Sequence, residues 1–252
     1  MVKSEIPMNN QYTNKFYQQR RKQTLASAQI ILKKLFTTFS PKLIIDFGCA
    51  TGIWLAECKR LGATKTYGVD GDWVDRDLLE IDSSEFKNHD FGQLKYNSEY
   101  KYELAMCIEV AEHLSEEMGS MLIDSLTETS DVILFSAAVC GQGGTGHINE
   151  QAQYYWAQEF SKRDYVCLDL LRPEIWENET VNVIYKQNML VYVRQSVCDR
   201  LSLESKIISQ PFELNRIHPD LFLKRSSSAN TGRMKNILGG LNLLAKGIGI
   251  KR

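Results

Sequence analysis

What this 252-residue chain lacks narrows its function first. No run of apolar residues reaches the length needed to span a bilayer. The polar opening MVKSEIPMNNQYTNKFYQQRRKQ has no apolar core of an export signal. None of the six cysteines (Cys49, Cys58, Cys107, Cys140, Cys167 and Cys198) stands in a C-x-x-C pair, and most sit in apolar runs. They read as reduced core thiols, not as a disulfide or zinc framework. The sequon Asn178-Glu179-Thr180 carries little meaning without an export signal. A cytoplasmic protein is the expectation. Neither sign of charge is in excess: the net charge is −1, so the whole-chain balance gives no support to DNA or a membrane as partner. No internal repeat is visible.

What is present is an ordinary globular composition, 43% hydrophobic and 24% charged, with length for one sizeable core plus additions or for two small domains. Leu25, Ala28, Leu32, Leu35, Phe36 and Phe39 fall at helical spacing, which predicts a helix over roughly 24–39, ended by Ser40-Pro41. Short apolar runs at 43–47, 66–69, 104–108 and 132–135 predict buried strands, with a short one at 86–91. Helices are predicted over 53–61, stopped by Gly62, and over 115–128. This alternation implies a doubly wound α/β, Rossmann-like, mainly parallel sheet. Two later extended stretches, 165–170 and 188–193, suggest an antiparallel C-terminal hairpin at its edge.

In such a sheet ligands bind at the carboxyl ends of the strands. The loop after the first strand reads Asp46-Phe47-Gly48-Cys49-Ala50-Thr51-Gly52. Glycines there let backbone approach a ligand, and the helix that follows offers free N–H groups. Asp70 ends the second strand 24 residues after Asp46, where a carboxylate can accept from both hydroxyls of a ribose. Together these features point to an adenosine-type cofactor. A dinucleotide site would prefer G-x-G-x-x-G. An acid just before the loop would repel a pyrophosphate but suits a cationic amino-acid end.

The stretch resembles motif I of class I S-adenosylmethionine (SAM) methyltransferases, D/E-x-G-x-G-x-G, with Ala50 at the place of the middle glycine. The resemblance implies a SAM-dependent methyltransferase in which Asp46, Gly48, Ala50, Gly52 and Asp70 hold the cofactor. "GVDGDW" puts Asp72 and Trp73 where the family packs the adenine. "NHDFGQL" puts Asp90 at the adenine amino group, with Phe91 contributing backbone; the plainer reading of Asp90 is a loop cap. "YTNKFYQQR" resembles a mobile lid, with Tyr12, Tyr17 and Arg20 able to cover SAM, or else is the start of a surface helix. The domain organisation implied is an N-terminal helical lid over 1–40, a SAM-binding domain with acceptor-pocket insertions over 41–195, and a basic C-terminal extension over 196–252.

Methyl transfer needs an aligned acceptor, and an alcohol acceptor also needs its proton removed by a base or by a metal. "CIEVAEHL" and "GTGHINEQ" supply candidates after the fourth and fifth strands: Glu109, His113 and His147 as catalytic groups, Glu109 also toward SAM. The E-x-x-E-H pattern with a distant histidine is similar to two O-methyltransferase groups, of ubiquinone biosynthesis and of small-RNA 3′ ends. In these such residues hold a divalent metal, so the likeness implies a site of Glu109, Glu112, His113 and His147, with Mg as the ion. The same pattern is frequent in methyltransferases without metal. "GQGGTGHINEQAQYYWAQEF" and "IWENETVNVIYKQNMLVYV" look like a bacterial subgroup associated with surface glycans. This implies a small, sugar-like acceptor lined by Tyr154, Tyr185 and Asn188, with Tyr155, Trp156 and Gln187 beside them; these residues could equally be hairpin core. RNA 2′-O-methylation and a catalytically silent SAM-fold binding module are the competing readings. The tail from Arg216 has eight basic residues and one acid. Its stripe of Met234, Ile237, Leu238, Leu241, Leu244 and Ile248 would suit a membrane surface or a partner, but four glycines weaken the helix, and the favoured reading is a partly ordered tail packing on its own domain or a neighbour.

Overall fold

The computed structural model describes residues 14–223 and 225, with side chains from residue 21 onward. In chain order the elements are α1 (Asn14–Thr38), β1 (Leu43–Phe47), α2 (Ile53–Arg60), β2 (Lys65–Asp70), β3 (Phe86–Asn88), β4 (Leu104–Ile108), α3 (Glu116–Thr129), β5 (Val132–Ser136), α4 (Gln153–Ser161), β6 (Tyr165–Leu168), α5 (Arg172–Ile175), α6 (Val183–Asn188), β7 (Leu190–Arg194), α7 (Gln195–Leu201) and α8 (Pro211–Leu214). The chain divides after Arg216; α1 and residues 196–216 are part of the first unit. In the second unit a helical turn begins at Pro219. The tail stripe from Met234 and lid residue Tyr12 lie outside the described residues, as do the side chains of Tyr17 and Arg20.

The seven strands run in the order β3-β2-β1-β4-β5-β7-β6. The first five in sequence pair in parallel, whereas β7 is antiparallel to both β5 and β6. This is the doubly wound, mainly parallel sheet expected, with its antiparallel strands at one edge. The last two strands are not a tight hairpin: α5 and α6 lie between them, and β7 inserts between β5 and β6. The strand order reverses between β1 and β4, the crevice where open α/β sheets bind ligands.

Alternating side chains send each strand's residues to two faces. Ile44, Leu104, Met106, Leu134 and Val191 pack under α1 and α2 with Leu32, Leu35, Leu55 and Cys58. Ile45, Phe47, Ala105, Cys107, Ile133 and Phe135 pack against α3 and α4 with Ile123, Leu126, Trp156 and Phe160. Phe160 stacks on Tyr192 with ring centroids 3.9 Å apart. Ser115 caps α3 by accepting from the Met118 N–H, and Glu116 and Glu117 complement the dipole of its first turn. All six cysteines are free thiols, five buried and Cys140 exposed.

Several elements differ from the sequence reading. Tyr154, Tyr155 and Trp156 stand on a helix, α4, and are not strand residues of a hairpin: Gln153, Trp156 and Phe160 recur at helical spacing on its buried face. Asn188 closes α6 and does not open a strand; Asn182 caps that helix from the Ile184 N–H. Helix α1 begins well before Thr24. Among the described residues no helix is long and apolar enough to cross a membrane.

Candidate active site

The turn after β1 is built from left-handed backbone. Gly48, Ala50 and Gly52 have φ of +76°, +48° and +82°. An added Cβ at Gly48 would lie 2.3 Å from Val110 Cγ2, so this glycine is required by close approach as well as by φ. Ala50 bears the strain of a Cβ in the left-handed region, and what holds it there is visible. Its N–H donates to Asp70 Oδ2 at 2.8 Å, while the Gly71 N–H donates to Oδ1 at 2.7 Å. Asp70 thus clamps the loop to the end of β2. The Trp73 ring covers Gly71, within 2.3 Å of where a Cβ would stand, and its side chain lies close enough to Asp70 to favour the ionised carboxylate. Asp72 is exposed.

Asp46 and Asp70 are both buried, at 2% and 8% exposure. Burial, and then the neighbouring Asp70 charge, push the Asp46 carboxyl up to about 8. Burial also raises Asp70, to about 6, against the pull of the Ala50 and Gly71 hydrogen bonds and of the nearby Trp73 side chain. Asp90 faces Asp70 closely enough to raise it, but both its oxygens are engaged. Oδ1 accepts from the Gly92 N–H at 2.8 Å and Oδ2 from Gln93 Nε2 at 2.7 Å. Asp90 is therefore a loop cap in this structure. The Phe91 side chain is core, packed edge-on to Phe47 at 5.3 Å.

At the ends of β4 and β5 the second group of residues assembles. Glu109 sits at φ +58°, its N–H donating to the Ser136 carbonyl at 2.9 Å. Its carboxylate accepts from Asn188 Nδ2 at 3.1 Å and from Gln142 Nε2 at 3.4 Å. Burial raises Glu109; the hydrogen bonds from Asn188 and Gln142 and the nearby Ser136 hydroxyl hold it down. One turn on, Glu112 is fully buried and neither oxygen has a hydrogen-bond partner. The Glu112 and Ala138 N–H groups favour its ionised form without reaching hydrogen-bond geometry, and burial followed by the Glu109 charge pushes it well above the carboxylate range.

The loop 137–152 folds back on this segment. The N–H groups of Ile148 and Asn149 donate to the Glu112 carbonyl at 2.9 and 3.0 Å, and His113 Nδ1 lies 3.3 Å from the Gly146 carbonyl oxygen. These contacts bring His147 edge-on to His113, centroids 4.9 Å apart, with His147 Nε2 4.0 Å from Glu112 Oε1. One donor atom from each of Glu112, His113 and His147 lies within 4.8 Å of the others. Glu109 adjoins this trio but is held by amides.

The remaining candidates separate. Asn188 is at the centre, bridging Glu109 and Gln142. Tyr185 packs edge-on to Trp54, at the start of α2, at 5.4 Å. Tyr154 is on α4, its N–H donating to Asn215 Oδ1 and its hydroxyl accepting from Gln158, and no described contact joins it to Glu109 or His147. Trp156 is core. Gln142 was not foreseen: 5% exposed, its Oε1 accepts from Asn188 and Gln187 at 2.9 and 3.2 Å. The only signal for it was its place inside the glycine-rich "GQGG".

A doubly wound sheet with a clamped glycine loop after β1 and an acid ending β2 has the architecture of class I methyltransferases. Residues 17–128 match the family model described as a methyltransferase domain. No curated protein matches it. Among solved structures it is similar to magnesium protoporphyrin IX methyltransferase from Synechocystis PCC 6803 with bound S-adenosylhomocysteine, at 19% identity over 69% of this chain and 83% of that one, TM-score 0.50. It is also similar to a protein described as an O-methyltransferase from Nostoc punctiforme, at 10% identity over 71% of this chain and 59% of that one, TM-score 0.52. Both likenesses are of fold.

Proposed function

We propose that the protein is a SAM-dependent O-methyltransferase acting on a small hydroxylated acceptor, sugar-like in character. One observation carries the reading: Gly48 packs directly on Val110, so the cofactor loop abuts the segment that presents Glu109 and Glu112. SAM supplies an activated methyl group on a sulfonium. Asp70 holds the ribose hydroxyls with a carboxylate already oriented by two backbone N–H groups. Asp46 offers its charge to the cationic end, and Trp73 borders the adenine side. His147 Nε2 would take the proton from the acceptor hydroxyl, leaving its oxygen free to receive the methyl group. Asn188 and Gln142 fix Glu109 beside it. Buried amides and Tyr185 suit a ligand rich in hydroxyls.

The donor set of Glu112, His113 and His147 also fits a divalent cation, because an orphaned buried carboxylate and two imidazoles are sound ligands. Imidazole donors favour a borderline ion such as Zn or Fe over the Mg implied by resemblance. Such an ion would lower the pKa of a bound hydroxyl. The same trio would serve a terminal ribose hydroxyl of RNA, which is the second reading. Isothermal titration with SAM tests the first claim, and absence of binding would sink it. Screening nucleotide-sugars, phosphorylated metabolites and short RNAs for methyl transfer by mass shift separates the two acceptor readings.

A further inference from the structure

His147 is held by a neighbour to which the chemistry above gives no role. Glu150 lies three residues on, its side chain 17% exposed. Its Oε1 accepts from His147 Nδ1 at 2.8 Å and from the Gly143 N–H at 2.5 Å, and its Oε2 accepts from the Gly141 N–H at 2.9 Å. An ionised carboxylate only accepts, so Nδ1 carries the hydrogen and Nε2 of the neutral ring is left with its lone pair. That nitrogen faces Glu112. The other limit on the ring is Gly144, where a Cβ would stand 2.2 Å from Nε2. Gly141, Gly143 and Gly146 take the left-handed turns that let one carboxylate gather these donors from a short loop.

We propose that Glu150 is a positioning residue, which fixes His147 as its Nδ1–H tautomer, turns Nε2 to the reacting centre, and folds the 141–147 loop that carries it. The assignment rests on the reading of His147 as proton acceptor or metal ligand. A carboxylate behind a working imidazole raises its basicity and removes its orientational freedom, whichever of those tasks the far nitrogen performs.

The test is long-range 1H–15N correlation on the cofactor-free protein with 15N-labelled histidine, at a pH of about 8, where an ordinary imidazole is neutral. Four histidines make the spectrum simple, and His147→Gln assigns the signal. The wild type should show His147 protonated at Nδ1. Glu150→Ala should lose that pattern in favour of the Nε2–H form that free imidazole prefers. Glu150→Gln keeps an acceptor for the glycine N–H groups, so the loop stays folded while the Nδ1–H share falls; it carries the test if the alanine variant does not fold. Gly144→Ala should displace the ring yet keep the Nδ1–H pattern. A wild-type His147 protonated at Nε2, or a tautomer unchanged in both Glu150 variants, overturns the proposal. Because no cofactor is present, a failed SAM titration would overturn the methyltransferase reading and leave this result standing.

Discussion

Asp46→Asn is the most informative single perturbation, since it keeps the shape of a 2%-exposed side chain and removes only its charge. The carboxyl is raised from 3.8 to about 8, chiefly by burial. At 1.36 kcal/mol per factor of ten, that rise corresponds to roughly 5–6 kcal/mol, an upper bound because relaxation and water entry reduce it. The sign follows from proton binding. Between pH 3.8 and about 8 the folded protein holds this proton while the unfolded chain has lost it. Wild-type stability therefore falls as pH rises through that window, and the full cost is present above it. Below the unfolded value both states are protonated and the cost is gone. Asparagine does not titrate, so the variant should match the wild type near pH 4 and exceed it by about 2–5 kcal/mol near pH 8. Urea midpoints of the cofactor-free proteins at several pH values, with unchanged slopes, measure the difference. Two parallel stability curves would refute the reasoning.

The same carboxyl ties stability to function. Near neutral pH it is protonated in the free protein, and a cationic ligand beside it would restore the ionised form. SAM binding should then release up to about one proton, detectable by titration in buffers of different ionisation enthalpy. Asp46→Asn should bind more weakly and release less.

Gly48→Ala places a Cβ 2.3 Å from Val110 at positive φ and should cost about 2–3 kcal/mol, whereas Ala50→Gly relieves strain at φ +48° and should change stability by no more than about 1 kcal/mol; denaturant unfolding ranks them. Gln142→Ala removes an acceptor shared by two buried amides and should cost about 2 kcal/mol by the same measurement. His147→Ala should abolish methyl transfer while SAM affinity stays within about two-fold, and EDTA should leave the wild type active if no metal takes part.

The glycine turn and its clamp were legible because they are local. Asp46 through Gly52 is one turn between one strand and one helix, and Asp70 is fixed by register, Asp46 pairing with Gly68 two residues before it. The central strands β1, β4 and β5 announced themselves as short apolar runs because each is buried on both faces. The acceptor side is assembled from residues whose meeting no local pattern encodes. Asn188 reaches Glu109 across 79 positions because β7 inserts between β5 and β6, an arrangement that reading the last two strands as a simple hairpin does not contain. Glu112 and His147 meet because backbone N–H groups of 148 and 149 choose the Glu112 carbonyl. Asp90 carries both of its sequence readings into the structure: a glycine and a glutamine just downstream donate to it, as a loop cap requires.

This division has a chemical consequence. The glycine turn leaves little latitude, since Gly48 cannot carry a side chain against Val110. The acceptor side hangs on amide side chains and on a loop closed by Glu150, where a single substitution changes the shape and hydrogen bonding offered to the ligand without touching the Asp70 clamp. Selectivity for the acceptor is therefore expected to move with residues 141–150 and 183–188, and SAM affinity with 46–52 and 70–73. A double substitution taking one position from each group should give nearly additive free-energy changes, except at Glu109 and Val110, where the two halves touch.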